Sequence, residues 1–122
     1  MTERVFSVEE ANALLPYLAP ALVELREKVE QATEIKVRIT RAAASNGWSA
    51  ERERWDRTLA RVAELMERLQ EWGVELKDVS TGLVDFPTTR EGQAAYLCWR
   101  LGEPEVAHWH FVEDGFPGRR PL

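Results

Sequence analysis

Residues 96–110, YLCWRLGEPEVAHWH, hold the chain's only cysteine (Cys98), both of its histidines (His108 and His110) and two of its five tryptophans (Trp99 and Trp109). Successive side chains of a β-strand point to opposite faces, so alternation divides this stretch in two. Leu97, Trp99 and Leu101 share one face, and Tyr96, Cys98 and Arg100 the other. Further on, Ala107, Trp109 and Phe111 alternate with Val106, His108 and His110. A three-residue loop at 102–104 pairs Leu101 with Glu105, and so Cys98 with His108 and Tyr96 with His110. That register joins the two apolar sets, as a hairpin lying over a core requires. A turn centred on Pro104-Glu105 would join unlike faces.

Upstream, a strand over 82–86 adds Val84 and Phe86 to the apolar face and Asp85 to the polar one. Three strands, 82–86, 94–101 and 105–111, joined by loops at 87–92 and 102–104, make a small antiparallel meander. The tail DGFPGRRPL (114–122) is too rich in Gly and Pro for regular structure and is expected to be irregular.

Residues 1–72 follow a different period. Ser7 with Glu10 fits a capping box, preceded by Phe6 as a hydrophobic staple. Pro16 and Pro20 inside a helical pattern suggest a short turn over 8–15 and then a break or kink, unless either proline sits in the first turn of the next helix. The apolar seam after it is Leu22, Leu25, Val29, Ala32, Lys36, Ile39, Ala43, a coiled-coil-like spacing with one lysine in it; Leu15 and Leu18 extend it backwards. Asn46-Gly47 is a helix stop, Ser49 an N-cap, and Trp48 either a partner contact or the cover of the last turn. A second seam is Trp55, Leu59, Val62, Met66 and Leu69, closed by Trp72-Gly73. Helices joined by so short a link run antiparallel. The expectation is an α+β chain forming one domain over 1–122: a long antiparallel helical hairpin (1–72), then a three-stranded antiparallel sheet and tail (73–122). Ile35, Val37, Ala60, Ala63 and Leu65 widen the apolar stripe, which suggests a homodimer through the helices.

Totals narrow the function. A net charge of −5 argues against a general nucleic-acid or anionic-membrane binder. No run approaches a membrane span, and residues 1–10 lack a signal-peptide apolar core. One cysteine makes no internal disulfide, which fits a reducing compartment and a cytoplasmic protein.

The polar face of the meander is the place to look for chemistry. Asp85, Cys98, His108 and His110 are the oxygen, sulfur and nitrogen donors that zinc or another transition metal accepts. No C-x-x-C or H-E-x-x-H spacing accompanies them; the plain alternative is a sheet face with an Asp85–Arg100 ion pair and a packed thiol. Cys98 opposite His108 could form a nucleophile pair, but no Gly-rich helix opening supplies an oxyanion hole, so the chain does not read as an enzyme. Arg119 and Arg120, with Arg100, are candidates for a small anionic ligand or cofactor, since guanidinium forks fit carboxylate and phosphate; otherwise the tail arginines pair with Glu113 or Asp114. The leading expectation is a non-catalytic interaction or assembly protein. The alternative is a metal- or anion-binding protein using Asp85, Cys98 and His110 with Arg119 and Arg120.

GLVDFP (82–87), YLCWRLGEPEVAHWH (96–110) and GFPGRRPL (115–122), after a charged hairpin opening FSVEEANALLP (6–16), resemble the prokaryotic domain-of-unknown-function family 2203. The positions that carry the likeness are Asp85, Cys98, Trp99, Gly102, Glu103, Trp109, His110, Gly115, Phe116, Gly118 and Arg119. The resemblance implies a small bacterial cytoplasmic protein and no particular activity. It also implies tyrosine as the usual residue at 108, leaving Asp85, Cys98 and His110 as the better ligand set.

Overall fold

The computed structural model describes residues 4–42 and 48–122, with the side chains of all of these but 42, 48 and 49. Two helices, α1 (Val8–Ala42) and α2 (Trp48–Trp72), precede five strands: β1 (Glu75–Asp78), β2 (Leu83–Arg90), β3 (Gln93–Arg100), β4 (His108–Phe111) and β5 (Arg120–Pro121). A single 3-10 turn, Phe116–Gly118, lies between the last two. The strands form one antiparallel sheet in the order β1-β2-β3-β4-β5. The class is α+β as expected, with five strands rather than three.

The expected break before Pro20 is absent: α1 is continuous over 35 residues, with Pro16 and Pro20 inside it. Each proline removes one helix hydrogen bond, to the carbonyl of Asn12 and of Pro16 respectively. Both prolines are exposed, so those carbonyls can turn to water. Buried Ala11, Leu18, Ala21 and Leu22 hold the helix to the core on either side of them. The capping box is present: the Ser7 N–H donates to Glu10 Oε1 (2.9 Å) and the Glu10 N–H to Ser7 Oγ (3.1 Å). Phe6 is buried edge-on against Phe86, with ring centroids 5.2 Å apart.

Ion pairs between the helices show them antiparallel. Arg61 grips Glu24 with two hydrogen bonds of 2.6 and 2.7 Å, and Arg38 lies 3.7 Å from Glu51. The buried stripes differ from the expected seams. On α1 the seam passes through Ile35, and Lys36 is exposed. On α2 it runs through Thr58, Leu65 and Leu69, leaving Leu59 40% and Met66 45% exposed. The rotation follows from the end of α2, where Leu65, Leu69 and Val74 join the cluster that also covers the sheet. That end is a Schellman stop. The Val74 N–H donates to Leu69 O (3.1 Å) and the Gly73 N–H to Gln70 O (3.0 Å), with Gly73 at φ +84°. α2 starts at Trp48, ahead of the cap expected at Ser49. The Asn46-Gly47 stop, Ala43 of the first seam and the Trp48 side chain lie outside the described residues.

The register read from the sequence is the one observed: Cys98 pairs with His108 and Tyr96 with His110. Three boundaries change. The third strand is shorter, starting at His108 rather than Glu105, so β3 and β4 are joined over 101–107 instead of a three-residue loop at 102–104, and Leu101 and Glu105 are not paired. Residues 87–92 are not a loop, because β2 continues to Arg90 and turns into β3 through Glu91-Gly92 alone, with φ 55° and 75°. Such two-residue turns need φ > 0 at both central positions. Pro87 is tolerated in β2 because a strand residue's N and C=O point to the same side. Its carbonyl accepts from the Phe6 N–H (2.7 Å), so its nitrogen faces away from β3 and no β2–β3 bond is lost. Finally, the tail is not irregular throughout: Arg120 and Pro121 pair with Trp109 and His108. β1, the unforeseen outer strand, has one apolar residue in Glu-Leu-Lys-Asp and no alternation to betray it.

The apolar face of the sheet (Val84, Phe86, Leu97, Trp99 and Trp109) closes on Phe6, Leu18, Leu22, Leu65 and Leu69 in one buried cluster. The opposite face is left for the polar residues.

Candidate metal centre

Asp85 on β2, Cys98 on β3 and His110 on β4 meet on that second face. One ligand atom from each lies within 4.8 Å of the others, and the residues are 4%, 0% and 2% exposed. The pairings Asp85↔Cys98 and Tyr96↔His110 bring them together, because all four side chains then share one side of the sheet. His110 Nε2 is 3.2 Å from each Asp85 oxygen, and its Nδ1 is 2.8 Å from the Phe111 carbonyl oxygen.

The Phe111 contact decides the tautomer. A carbonyl oxygen only accepts, so Nδ1 carries a proton and donates it. A neutral ring then presents a bare lone pair on Nε2, aimed at a carboxylate that also only accepts when ionised. A positive charge or a proton must sit between them: an imidazolium proton, a carboxyl proton or a metal ion. Burial raises the Asp85 carboxyl above its ordinary range, against the opposing pull of His110 and Lys77. The Cys98 thiol is pushed up to about 12, mainly by burial and then by the Asp85 charge, and hydrogen-bonds to that carboxyl. Without a cation, then, Cys98 is a protonated thiol, as far from a nucleophile as burial can put it.

A cavity of about 210 Å³ opens on this cluster. Asp85 and His110 lie on its wall with Tyr96, Leu83, Val112 and Phe116; Cys98 does not. Tyr96 lies tilted against the His110 ring, 5.5 Å between centroids, and its hydroxyl donates to Glu75 (2.8 Å).

The other candidates are placed elsewhere. His108 shares the face but not the cluster: its Nδ1 accepts from Arg119 Nη2 at 2.9 Å and stands 3.9 Å from Glu103. Arg119 is itself held by the Glu103 carboxylate, not by Glu113 or Asp114. Arg120 points the opposite way, over Trp109 and Phe111 (5.3 and 5.6 Å to the centroids), with Asp114 3.9 Å off. The two tail guanidiniums therefore diverge. Arg100 is exposed over Phe116 at 5.7 Å, and the expected Asp85–Arg100 ion pair is replaced by Asp85–His110.

Glu103 and Asn12 have roles that alternation does not reveal. Glu103 accepts from the Arg100 N–H (2.8 Å) and from Arg119, while its carbonyl accepts from Trp99 Nε1 (3.1 Å). Asn12 Oδ1 accepts from the Val106 N–H (2.7 Å), tying the β3–β4 loop to α1. Glu103 follows Gly102 at a strand end and is one of the positions that carry the family likeness, but neither points to this clasp; Asn12 on a helix carries no signal.

Comparison with known proteins finds one family model, described as an uncharacterized conserved protein (DUF2203), matching residues 4–122. Neither the curated proteins nor the solved structures yield a match.

Proposed function

The chain belongs to the DUF2203 family, and we propose that it binds a divalent transition metal, zinc by preference, through Asp85, Cys98 and His110. The observation that carries this reading is the Nδ1–H donation of His110 to the Phe111 carbonyl, which leaves Nε2 free to bind and aimed at Asp85. Metal-bound histidines characteristically donate their other ring nitrogen in this way. Oxygen, sulfur and nitrogen in one set of three is also zinc chemistry. Tetrahedral zinc spaces its ligand atoms by roughly 3.3–3.8 Å, so a spread within 4.8 Å closes by side-chain rotation of about an ångström. The ion would displace the thiol proton to solvent and bind the thiolate, supplying the positive charge that the His110–Asp85 contact calls for. The test is elemental analysis after zinc loading and dialysis. One equivalent is expected in the unaltered protein and far less in His110→Ala and Cys98→Ala; an unaltered protein that retains none would refute the proposal.

Assembly is a second reading, supported by Leu59, Ala63 and Met66 on one exposed stripe of α2. Sedimentation at micromolar concentration is expected to give a dimer that Met66→Glu converts to monomer. A monomer in the unaltered protein would exclude it.

A further inference from the structure

Resting on the metal reading above, we infer that the ion keeps one position open to the neighbouring cavity, and that this position takes a short-chain carboxylate. Among the described residues the cluster offers three donors, one short of a closed zinc site. The missing direction is the cavity. Asp85 and His110 form part of its wall, while Cys98 does not line it. Three protein donors with one open position is the arrangement of zinc sites that bind exchangeable ligands.

The walls describe the occupant. Leu83, Val112 and Phe116 add apolar surface to the same wall as the donors. The volume of about 210 Å³ equals roughly seven waters of liquid and admits a molecule of roughly five or six heavy atoms. Lys77 is also on the wall, its ammonium 5.4 Å from the Tyr96 centroid and near enough to Asp85 for its charge to act there. Glu75 offsets part of that charge at 3.0 Å. A head with anionic oxygen satisfies metal and lysine together, and a body of a few carbons fills the apolar side.

The probe is cobalt(II) loaded in place of zinc, which reports its coordination in the visible spectrum. Sodium acetate, propionate and isobutyrate are titrated in, with isobutyramide as the uncharged isostere. The expected result is a saturable change in the d–d bands, tightening about fourfold for each added carbon. Isobutyramide is expected at least about tenfold weaker, and Lys77→Gln weakens isobutyrate about threefold without loss of cobalt. A cobalt spectrum indifferent to all four compounds, or isobutyramide equal to isobutyrate, overturns this inference while leaving the metal site intact. Absence of a sulfur-to-cobalt band that disappears in Cys98→Ala overturns the metal reading, and this inference with it.

Discussion

Zinc should raise the melting temperature steeply, and the rise should depend on Cys98. A ligand that binds only the folded chain stabilises it by RT ln(1 + [L]/Kd), about 4.1 kcal/mol at a thousandfold excess over Kd. Unfolding entropy near 60 °C is about 2.1 cal/mol/K per residue, so the 122 residues here sum to about 0.26 kcal/mol/K. The predicted rise is thus about 16 °C. Cys98→Ala removes a fully buried side chain, at a cost near the roughly 1 kcal/mol typical of a substitution, so the metal-free variant should melt about 4 °C lower. If the thiolate is a ligand, the variant should bind on the order of 100-fold more weakly. At the same zinc concentration that leaves about 1.4 kcal/mol, a rise of only about 5 °C. Differential scanning calorimetry of both proteins, with zinc and with a chelator, gives all four temperatures. Two results would refute the reasoning: no zinc-dependent rise in the unaltered protein, or equal rises in both.

The helix seam can be tested by a pair of truncations. Leu65→Ala, at a fully buried position, should cost about 2–5 kcal/mol in urea unfolding, and Leu59→Ala, at 40% exposure, well under about 1 kcal/mol; the reverse order would restore the seam through Leu59. Ser7→Ala removes the Oγ half of the capping box, leaving the Glu10 N–H without its acceptor, and should lower stability by about 1 kcal/mol by the same assay. The hydrogen bonds from Ser7 hold the Glu10 carboxyl below its ordinary value. Its contribution is therefore complete above pH 4.5, the unfolded value, and fades as pH falls through the lower folded one. Stability of Glu10→Gln compared with the unaltered protein between about pH 6 and about pH 3 should show the difference shrinking with acid; a constant difference would remove the cap's charge from the account.

What alternation could decide, it decided well. Two apolar sets separated by a Gly-Glu-Pro loop leave one register that keeps both indoors, and that register put Cys98, His110 and Asp85 on one face. What it could not decide depended on docking. The stripe on α2 has nearly equivalent alternatives, one through Leu59 and Met66 and one through Thr58 and Leu65. The sheet beneath the end of the helix selects the second, polar threonine included. The prolines do not break α1, and local propensity says nothing about which face they occupy. On a solvated face their cost is small enough for the packing around them to override. β1 and β5 were invisible because outer strands need no alternating apolar side chains; β2 and β4 supply the ladder. The candidate site was legible as a set of donors but not as a burial depth. That depended on side chains brought over it, and it is what raises Asp85 and Cys98.

Glu103 has a consequence of this kind. One carboxylate accepts from the Arg100 backbone and from Arg119, so the β3–β4 loop and the C-terminal strand share a single clasp, whose charges act on Cys98. Release of Arg119 would undo the one side-chain clasp on Glu103 and remove a positive charge that acts on the thiol, while Asn12 and the β4–β5 pairing still hold loop and strand. Cys98 is in that sense a built-in gauge: its rate of alkylation by a maleimide would register the opening of a clasp it does not belong to.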